Sequence, residues 1–245
     1  MSLLDGETLI VTGASRGLGA SMATRFANEG ANVVLTARSQ SDLEEVSSSI
    51  EGETLIVPAD VTDEAAVRAV IDATVDEYGA VTGLINNAAI GLLSLYDERS
   101  VLHETDAEDF RQIMDVNVTG VFLFSKYAVL EMIDSGRGNV INISSGVGRR
   151  GAAKWGPYAV SKWAVEGLTR TQAKELDEHG INVNALDPGG RVSTGFWDHL
   201  PATEREDILD PDVMNDAATM LLKQGPEGVT GESMPADEWE EQLGQ

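Results

Sequence analysis

Thr8-Leu9-Ile10-Val11-Thr12-Gly13-Ala14-Ser15-Arg16-Gly17-Leu18-Gly19 decides the reading of this chain. A short apolar run enters a glycine turn, and helix-compatible residues continue from Leu18 to Glu29, with Gly30 as a stop. Without a Cβ, Gly13, Gly17 and Gly19 allow a sharp turn and a close backbone approach to a ligand. The helix that begins there offers free N–H groups and the positive end of its dipole, which suit a pyrophosphate. Ser15, Arg16 and Leu18 complete the turn. The alternative is a plain structural turn, but the position at the end of a first strand favours nucleotide binding.

The same alternation continues outward. Asn32 to Ala37 reads as a second strand, and Ser41 caps a helix through Ile50 with Glu44 at capping-box spacing. Thr54 to Pro58 is a third strand. Thr62 caps a helix from Asp63 to Tyr78, whose Val67, Val70, Ile71 and Val75 share one face. Strands over Gly83–Asn86, 139–144 and 181–186 enclose helices over 107–133 and 158–178. Residues 212–223 predict a further helix and 231–235 a short last strand. Repeated strand–helix units with apolar strands imply an α/β fold, a doubly wound parallel sheet forming a single domain over 1–245. From Pro201 to Gln245 there are 12 acidic and 2 basic residues, so this part is expected to be a solvated flank.

Composition narrows the chemistry. The chain has 245 residues and a 42% hydrophobic fraction, enough for one large core. No continuous run of about 18 apolar residues occurs, so no membrane span is expected. Met1 to Gly6 lacks the pattern of a signal peptide, and a cytoplasmic location is expected. There is no cysteine, which excludes disulfides and thiolate chemistry, and the three histidines are widely separated, so no metal site is expected. A net charge of -24 disfavours nucleic acid and anionic membranes as partners. Only 5 of the 17 basic residues are lysine, a balance that suits a surface adapted to high salt; an ordinary acidic protein is the alternative.

In a dinucleotide site of this kind, an acidic residue at the end of the second strand marks NAD. Here that strand ends Leu35-Thr36-Ala37-Arg38. Arg38, with Arg16, could instead pair with a 2′-phosphate, which argues for NADP(H) over NAD(H), unless both are ordinary surface charges.

Tyr158-Ala-Val-Ser-Lys162 places a phenol and an ammonium on one helix face. A nearby cation favours the phenolate and is expected to lower the tyrosine pKa, so Tyr158 can exchange a proton with an alcohol or alkoxide. Ser144-Ser145 ends the fifth strand, where open sheets bind ligands. Asn117 lies inside a predicted helix, where asparagine is unfavourable; it is either an exposed polar residue or one that distorts the helix and holds a water.

These motifs, taken in order, resemble the short-chain dehydrogenase/reductase family of compact type, over roughly positions 7 to 190. The residues are Thr12-Gly13-x-x-x-Gly17-x-Gly19, Asp60-Val61, Asn86-Asn87-Ala88-Ala89, Asn117, Ser145, Tyr158-x-x-x-Lys162 and Pro188-Gly189. The resemblance is to the 3-oxoacyl-carrier-protein reductase-like or glucose dehydrogenase-like members and implies a Rossmann-type fold. It also implies a catalytic set of Asn117, Ser145, Tyr158 and Lys162. Tyr158 would be the acid/base, Ser145 would orient the carbonyl, Lys162 would bind the nicotinamide ribose, and Asn117 would support a water-linked relay. Asp60 and Val61 would lie near the adenine, Asn87 and Ala88 would frame the cofactor, and Pro188, Gly189 and Val192 would flank the nicotinamide. The choice of Ser145 over Ser144 rests on its 13-residue spacing from Tyr158. Either Ser193 or Thr194 could meet the carboxamide, with Thr194 favoured if Gly190 is an extra residue. The substrate implied is a small carbonyl compound or secondary alcohol.

Residues from about 189 to 209 fall where the family carries a substrate lid, and Phe196 and Trp197 either cover the substrate or pack in the core. Arg149, Arg150 and Lys154 could attract an anionic substrate, or could pair with surface carboxylates. The resemblance further implies a homodimer or homotetramer through the two long helices. A cofactor-binding regulatory protein without catalysis would be expected to lack Ser145, Tyr158 or Lys162. A lyase or dehalogenase on the same scaffold would not need the glycine turn.

Overall fold

Residues 2–97, 100–194 and 207–244 are described in the computed structural model. In chain order the elements are β1 (Thr8–Thr12), α1 (Gly17–Asn28), β2 (Asn32–Thr36), α2 (Gln40–Ser48), β3 (Thr54–Ile56), α3 (Glu64–Tyr78), β4 (Gly83–Asn86) and α4 (Leu92–Tyr96). Then come α5 (Ala107–Met114), α6 (Gly120–Ser135), β5 (Gly138–Ile143), α7 (Gly156–Leu176), β6 (Ile181–Asp187), α8 (Asn215–Leu222), β7 (Ser233–Pro235) and α9 (Ala236–Leu243). The strands form one sheet in the order β3-β2-β1-β4-β5-β6-β7, and every pairing is parallel. The expected doubly wound α/β fold is therefore observed. β1 lies between β2 and β4, so the chain reverses its direction of travel across the sheet there, and a crevice opens at the carboxyl ends of those strands.

Alternation along β1 divides the core. Leu9 and Val11 pack with Met22, Phe26, Leu35, Ile85 and Leu221 on one face. Ile10 packs with Val34, Val67, Leu84, Phe124 and Val183 on the other.

Several local expectations are corrected. The cap of α2 is Ser39, whose Oγ accepts from Asp42 N at 3.3 Å; Ser41 lies inside the helix, and Glu44 accepts from Gln40. The cap of α3 is Asp63, which accepts from Ala65 N and Ala66 N, while Thr62 is bound to Asp60. The stretch 107–133 is not one regular α-helix. A π-turn over Asp115–Thr119 separates α5 from α6, and Gly120 N donates to Asp115 O, five residues back.

The acidic C-terminal flank is not merely solvated. α9 buries Ala236 and Trp239, and the Trp239 indole donates to Ala185 O at 3.0 Å. Asp237, Glu238 and Glu241 face outward on the same helix. The helical stretch Ala107–Ser135 is long and apolar enough to cross a membrane by length and composition alone, although it holds no continuous apolar run of that length. Half of its most apolar window is buried, with Leu123, Phe124, Ala128 and Met132 in the core.

Candidate active site

A cleft of about 950 Å³ runs along the carboxyl ends of the strands. At one end lies the turn between β1 and α1. Gly13 and Gly17 have φ of +65° and +57°, a region L side chains rarely adopt. A Cβ on Gly19 would sit 2.3 Å from Gly13 O and 2.5 Å from Asn87 Nδ2, so Gly19 lies beneath the turn and outside the cleft lining. α1 starts at this turn without a side-chain cap, leaving its first N–H groups toward the cleft.

Thr12 and Asn87 hold the turn in place. Asn87 Nδ2 donates to Thr12 O at 2.8 Å and Gly13 O at 3.2 Å. Thr12 Oγ1 donates to Ile85 O and accepts from Asn87 N and Ala88 N. Thr12 appeared in the sequence only as a motif letter; this bracing depends on β1 and β4 being neighbours, which no local signal reports.

Ser15, Arg16, Leu18, Arg38, Asp60, Val61, Asn87 and Ala88 all line this half of the cleft. Burial raises the Asp60 pKa, but two hydrogen bonds from Thr62 and the Arg38 charge outweigh it, and the carboxyl is held below its ordinary value. Arg38 thus faces the same region as Asp60.

At the other end α7 presents Tyr158 and Lys162. Pro157 follows Gly156 in the first turn, where its missing N–H costs nothing. Tyr158 is half-buried and borders the cleft, and its hydroxyl bonds to Ser145. Burial pushes the phenol up to about 12; the Ser145 bond opposes this, and the Asp187 charge adds to it. The expected lowering by Lys162 is therefore not the net effect. Lys162 Nζ lies 5.5 Å from the Tyr158 ring centroid and donates to Ile143 O at 2.7 Å. Burial pulls Lys162 down to about 8, against the Glu166 carboxylate.

Ser144 and Ser145 separate cleanly. Ser144 Oγ turns inward and donates to the buried Glu166 at 2.5 Å, whereas Ser145 faces Tyr158. Asn117 is 1% exposed, which rules out the exposed-residue reading. Its Oδ1 accepts from Ile90 N at 2.8 Å, and its Nδ2 donates to Ile90 O at 2.8 Å and Ser161 Oγ at 2.9 Å. Ser161 in turn donates to Tyr158 O. Asn117 therefore stands behind the cleft wall and ties the π-turn to the tyrosine helix.

Pro188, Gly189, Val192 and Thr194 line the cleft beyond β6, and Ser193 does not. Phe196 and Trp197, with most of the expected lid, lie outside the described residues. Sequence reading missed Ser94, Leu95, Gln112 and Trp155, which border the tyrosine end. They come from three separate segments, and only tertiary contact brings them together.

The basic loop splits three ways. Arg149 Nη2 bonds to the buried Asp187 at 2.5 Å, and Arg149 Nη1 to Ser233 Oγ at 2.8 Å. Lys154 is exposed and outside the lining, whereas Arg150 borders the cleft.

The short chain dehydrogenase family matches residues 7–205. A 2,5-dichloro-2,5-cyclohexadiene-1,4-diol dehydrogenase of Sphingobium indicum is 36% identical, over 97% of this chain and 98% of its own. An NADPH-dependent pterin aldehyde reductase of Arabidopsis thaliana is 38% identical, over 77% of this chain and 76% of its own. Among solved structures, levodione reductase superposes with a TM-score of 0.83 at 26% identity, covering 95% and 96% of the two chains. A metagenomic short-chain oxidoreductase in complex with NADP gives 0.81 at 29% identity, covering 96% and 98%. The glycine turn, the cleft it opens and the tyrosine helix across from it thus coincide with what these likenesses indicate: the chain belongs to the short-chain dehydrogenase/reductase family of NAD(P)-dependent oxidoreductases.

Proposed function

We propose that this protein is an NADP(H)-preferring oxidoreductase acting on a small carbonyl compound or secondary alcohol, with Tyr158 as its proton donor and acceptor. The observation that carries this reading is one continuous cleft with the glycine turn at one end and Ser145, Tyr158 and Lys162 at the other. The residues present fit a dinucleotide. A side chain at Gly13 would crowd the cradle, its Cβ meeting Ala88 Cα at 2.9 Å, and one at Gly19 would displace the turn from beneath, its Cβ meeting Gly13 O at 2.3 Å. When bound, the cofactor supplies or accepts the hydride.

Gly13, Ser15, Gly17 and Leu18, with the first N–H groups of α1, would hold the pyrophosphate, and Gly19 lets the turn pack closely. Arg16 and Arg38 would receive the 2′-phosphate, and Asp60 and Val61 would border the adenine. Asn87 and Ala88 would frame the middle, Lys162 would bond the nicotinamide ribose, and Pro188, Gly189, Val192 and Thr194 would flank the nicotinamide.

Ser145 orients the substrate oxygen beside the Tyr158 hydroxyl. The phenol is protonated at neutral pH, and burial extends that state to higher pH, so it is ready to protonate a forming alkoxide. In the reverse direction the Lys162 charge favours the phenolate. Asn117 acts by position, through Ile90 and Ser161.

NADPH oxidation with a panel of ketones, aldehydes and sugars tests the reading. Tyr158→Phe should cut turnover by at least about 10²-fold while NADPH still binds. Persistent turnover would remove Tyr158 from the chemistry, and a clear preference for NADH would remove Arg38 from the phosphate site.

Exposed Phe122 and Leu130 on α6 and Trp163 on α7 support assembly as a homodimer or homotetramer. The -24 charge supports a surface suited to high salt, and a cytoplasmic location accords with the sequence.

A further inference from the structure

Charge partners single out one arginine at the substrate end of the cleft. Away from the cleft, every described arginine is matched. Arg25 pairs with Glu29 and Asp216, Arg111 with Glu108, Arg137 with Glu7, Arg149 with Asp187 and Arg170 with Glu166. Arg68 stacks over the Tyr127 ring, 5.6 Å from its centroid. Within the cleft, Arg38 acts on Asp60 and Arg191 is also engaged. Among the described residues, the guanidiniums of Arg16 and Arg150 have no hydrogen bond, ion pair or ring contact, and both residues line the cleft. In a chain with 41 acidic residues, two guanidiniums left without a carboxylate are a selective feature.

The two stand at opposite ends. Arg16 belongs to the glycine turn. Arg150 lies beside the serine and tyrosine: its Nη2 is 3.9 Å from where a Cβ on Gly146 would be, and Gly146 follows Ser145. The Trp155 and Tyr158 rings, with centroids 5.8 Å apart, and Leu95 border the same end and can hold a carbon skeleton. The nearest buried acid at that end, Asp187, is already compensated by Arg149 at 2.5 Å. Lys162 is spent on Ile143 O.

We propose that the substrate carries a carboxylate and that Arg150 receives it while Ser145 and Tyr158 engage the carbonyl or alcohol. This rests on the oxidoreductase reading above and adds the substrate class. A guanidinium matches a carboxylate through two parallel hydrogen bonds. One uncommitted guanidinium matches one negative charge, which favours a monoanionic carboxylate over a phosphate dianion. It also answers a problem of access, because a protein charged -24 repels anions unless the cleft carries its own cation.

The test uses the full chain saturated with NADP⁺, titrated calorimetrically with cyclohexanecarboxylate and with its neutral analogue cyclohexanecarboxamide, at fixed moderate salt. The acid should bind at least about tenfold more tightly, and Arg150→Gln should bring the ratio near one, with Arg150→Lys between. Equal binding, no detectable binding of either compound, or a ratio that survives Arg150→Gln would overturn the proposal. A comparable loss of NADP⁺ affinity in Arg150→Gln would also overturn it, by assigning the guanidinium to the cofactor. The acid-to-amide ratio of the unaltered protein decides even if a variant does not fold. Failure here leaves ketone reduction and its dependence on Tyr158 intact, whereas failure of the oxidoreductase reading appears as no reduction of any carbonyl.

Discussion

Replacing Lys162 with methionine should change how stability responds to pH. Lys162 is 3% exposed, and burial pulls its pKa from 10.5 down to about 8. In the unfolded chain a lysine titrates near about 10.4. Between those two values the unfolded state binds more protons, so stability rises with pH. The cost of the buried charge is fully present below about pH 8 and is relieved as pH climbs toward about 10.5. One pKa unit corresponds to about 1.4 kcal/mol, so moving from about pH 7 to about pH 9.5 should add about 2 kcal/mol.

Tyr158 does not blur this window. Its pKa is raised to about 12, so it stays protonated in both states until about pH 9, and its stabilising effect is lost only as pH rises toward its folded value. Other groups titrate too, so the informative quantity is the difference between the unaltered protein and Lys162→Met. Urea unfolding of both, without cofactor and at constant salt, measures it across the pH range. The variant also loses the hydrogen bond to Ile143 O; the part of it that depends on the lysine charge is already contained in the lowered pKa, and the rest is a constant offset. The stability of the unaltered protein relative to the variant should improve by about 2 kcal/mol across the window. A difference that stays constant with pH would refute the claim that Lys162 is charged and desolvated in the folded state.

Two further outcomes are expected. Trp239→Ala removes a fully buried side chain and leaves Ala185 O without its indole donor, so it should cost about 4 kcal/mol in urea unfolding; a loss below about 1 kcal/mol would show that α9 is peripheral. In a salt series, the unfolding midpoint should rise from dilute buffer to molar salt while light scattering reports a dimer or tetramer; a flat midpoint would sink the salt adaptation, and a monomer mass the assembly.

Much of the site was legible because the chemistry is local. The glycine turn is contiguous, and the four-residue spacing of Tyr158 and Lys162 needs only a helix. The choice between Ser144 and Ser145 followed from spacing alone, yet its physical basis is the inward turn of Ser144 to Glu166, a residue on another element. Asn117 was visible as a poor helix former, but its bonds to Ile90 and Ser161 were not, because they join three separated segments. The Arg149–Asp187 pair was hidden for the same reason: its partners are 38 positions apart in the chain. The C-terminal misreading arose because acids on the outward face of α9 outnumber the two residues, Ala236 and Trp239, that enter the core.

The sequence by itself determined the order of the strands and of the main helices between them, the parallel sheet and the residues able to carry proton and phosphate chemistry. Those properties follow from periodicity, glycine placement and i,i+4 spacing, which act over a few residues. The tertiary structure decided which charges are spent and which remain available, and how far Tyr158 and Lys162 depart from their ordinary acidities. Desolvation and ion pairing depend on every neighbour in space, so Arg149, Arg150 and Lys154 look alike along the chain and end as a buried partner, a cleft-lining guanidinium and an exposed lysine.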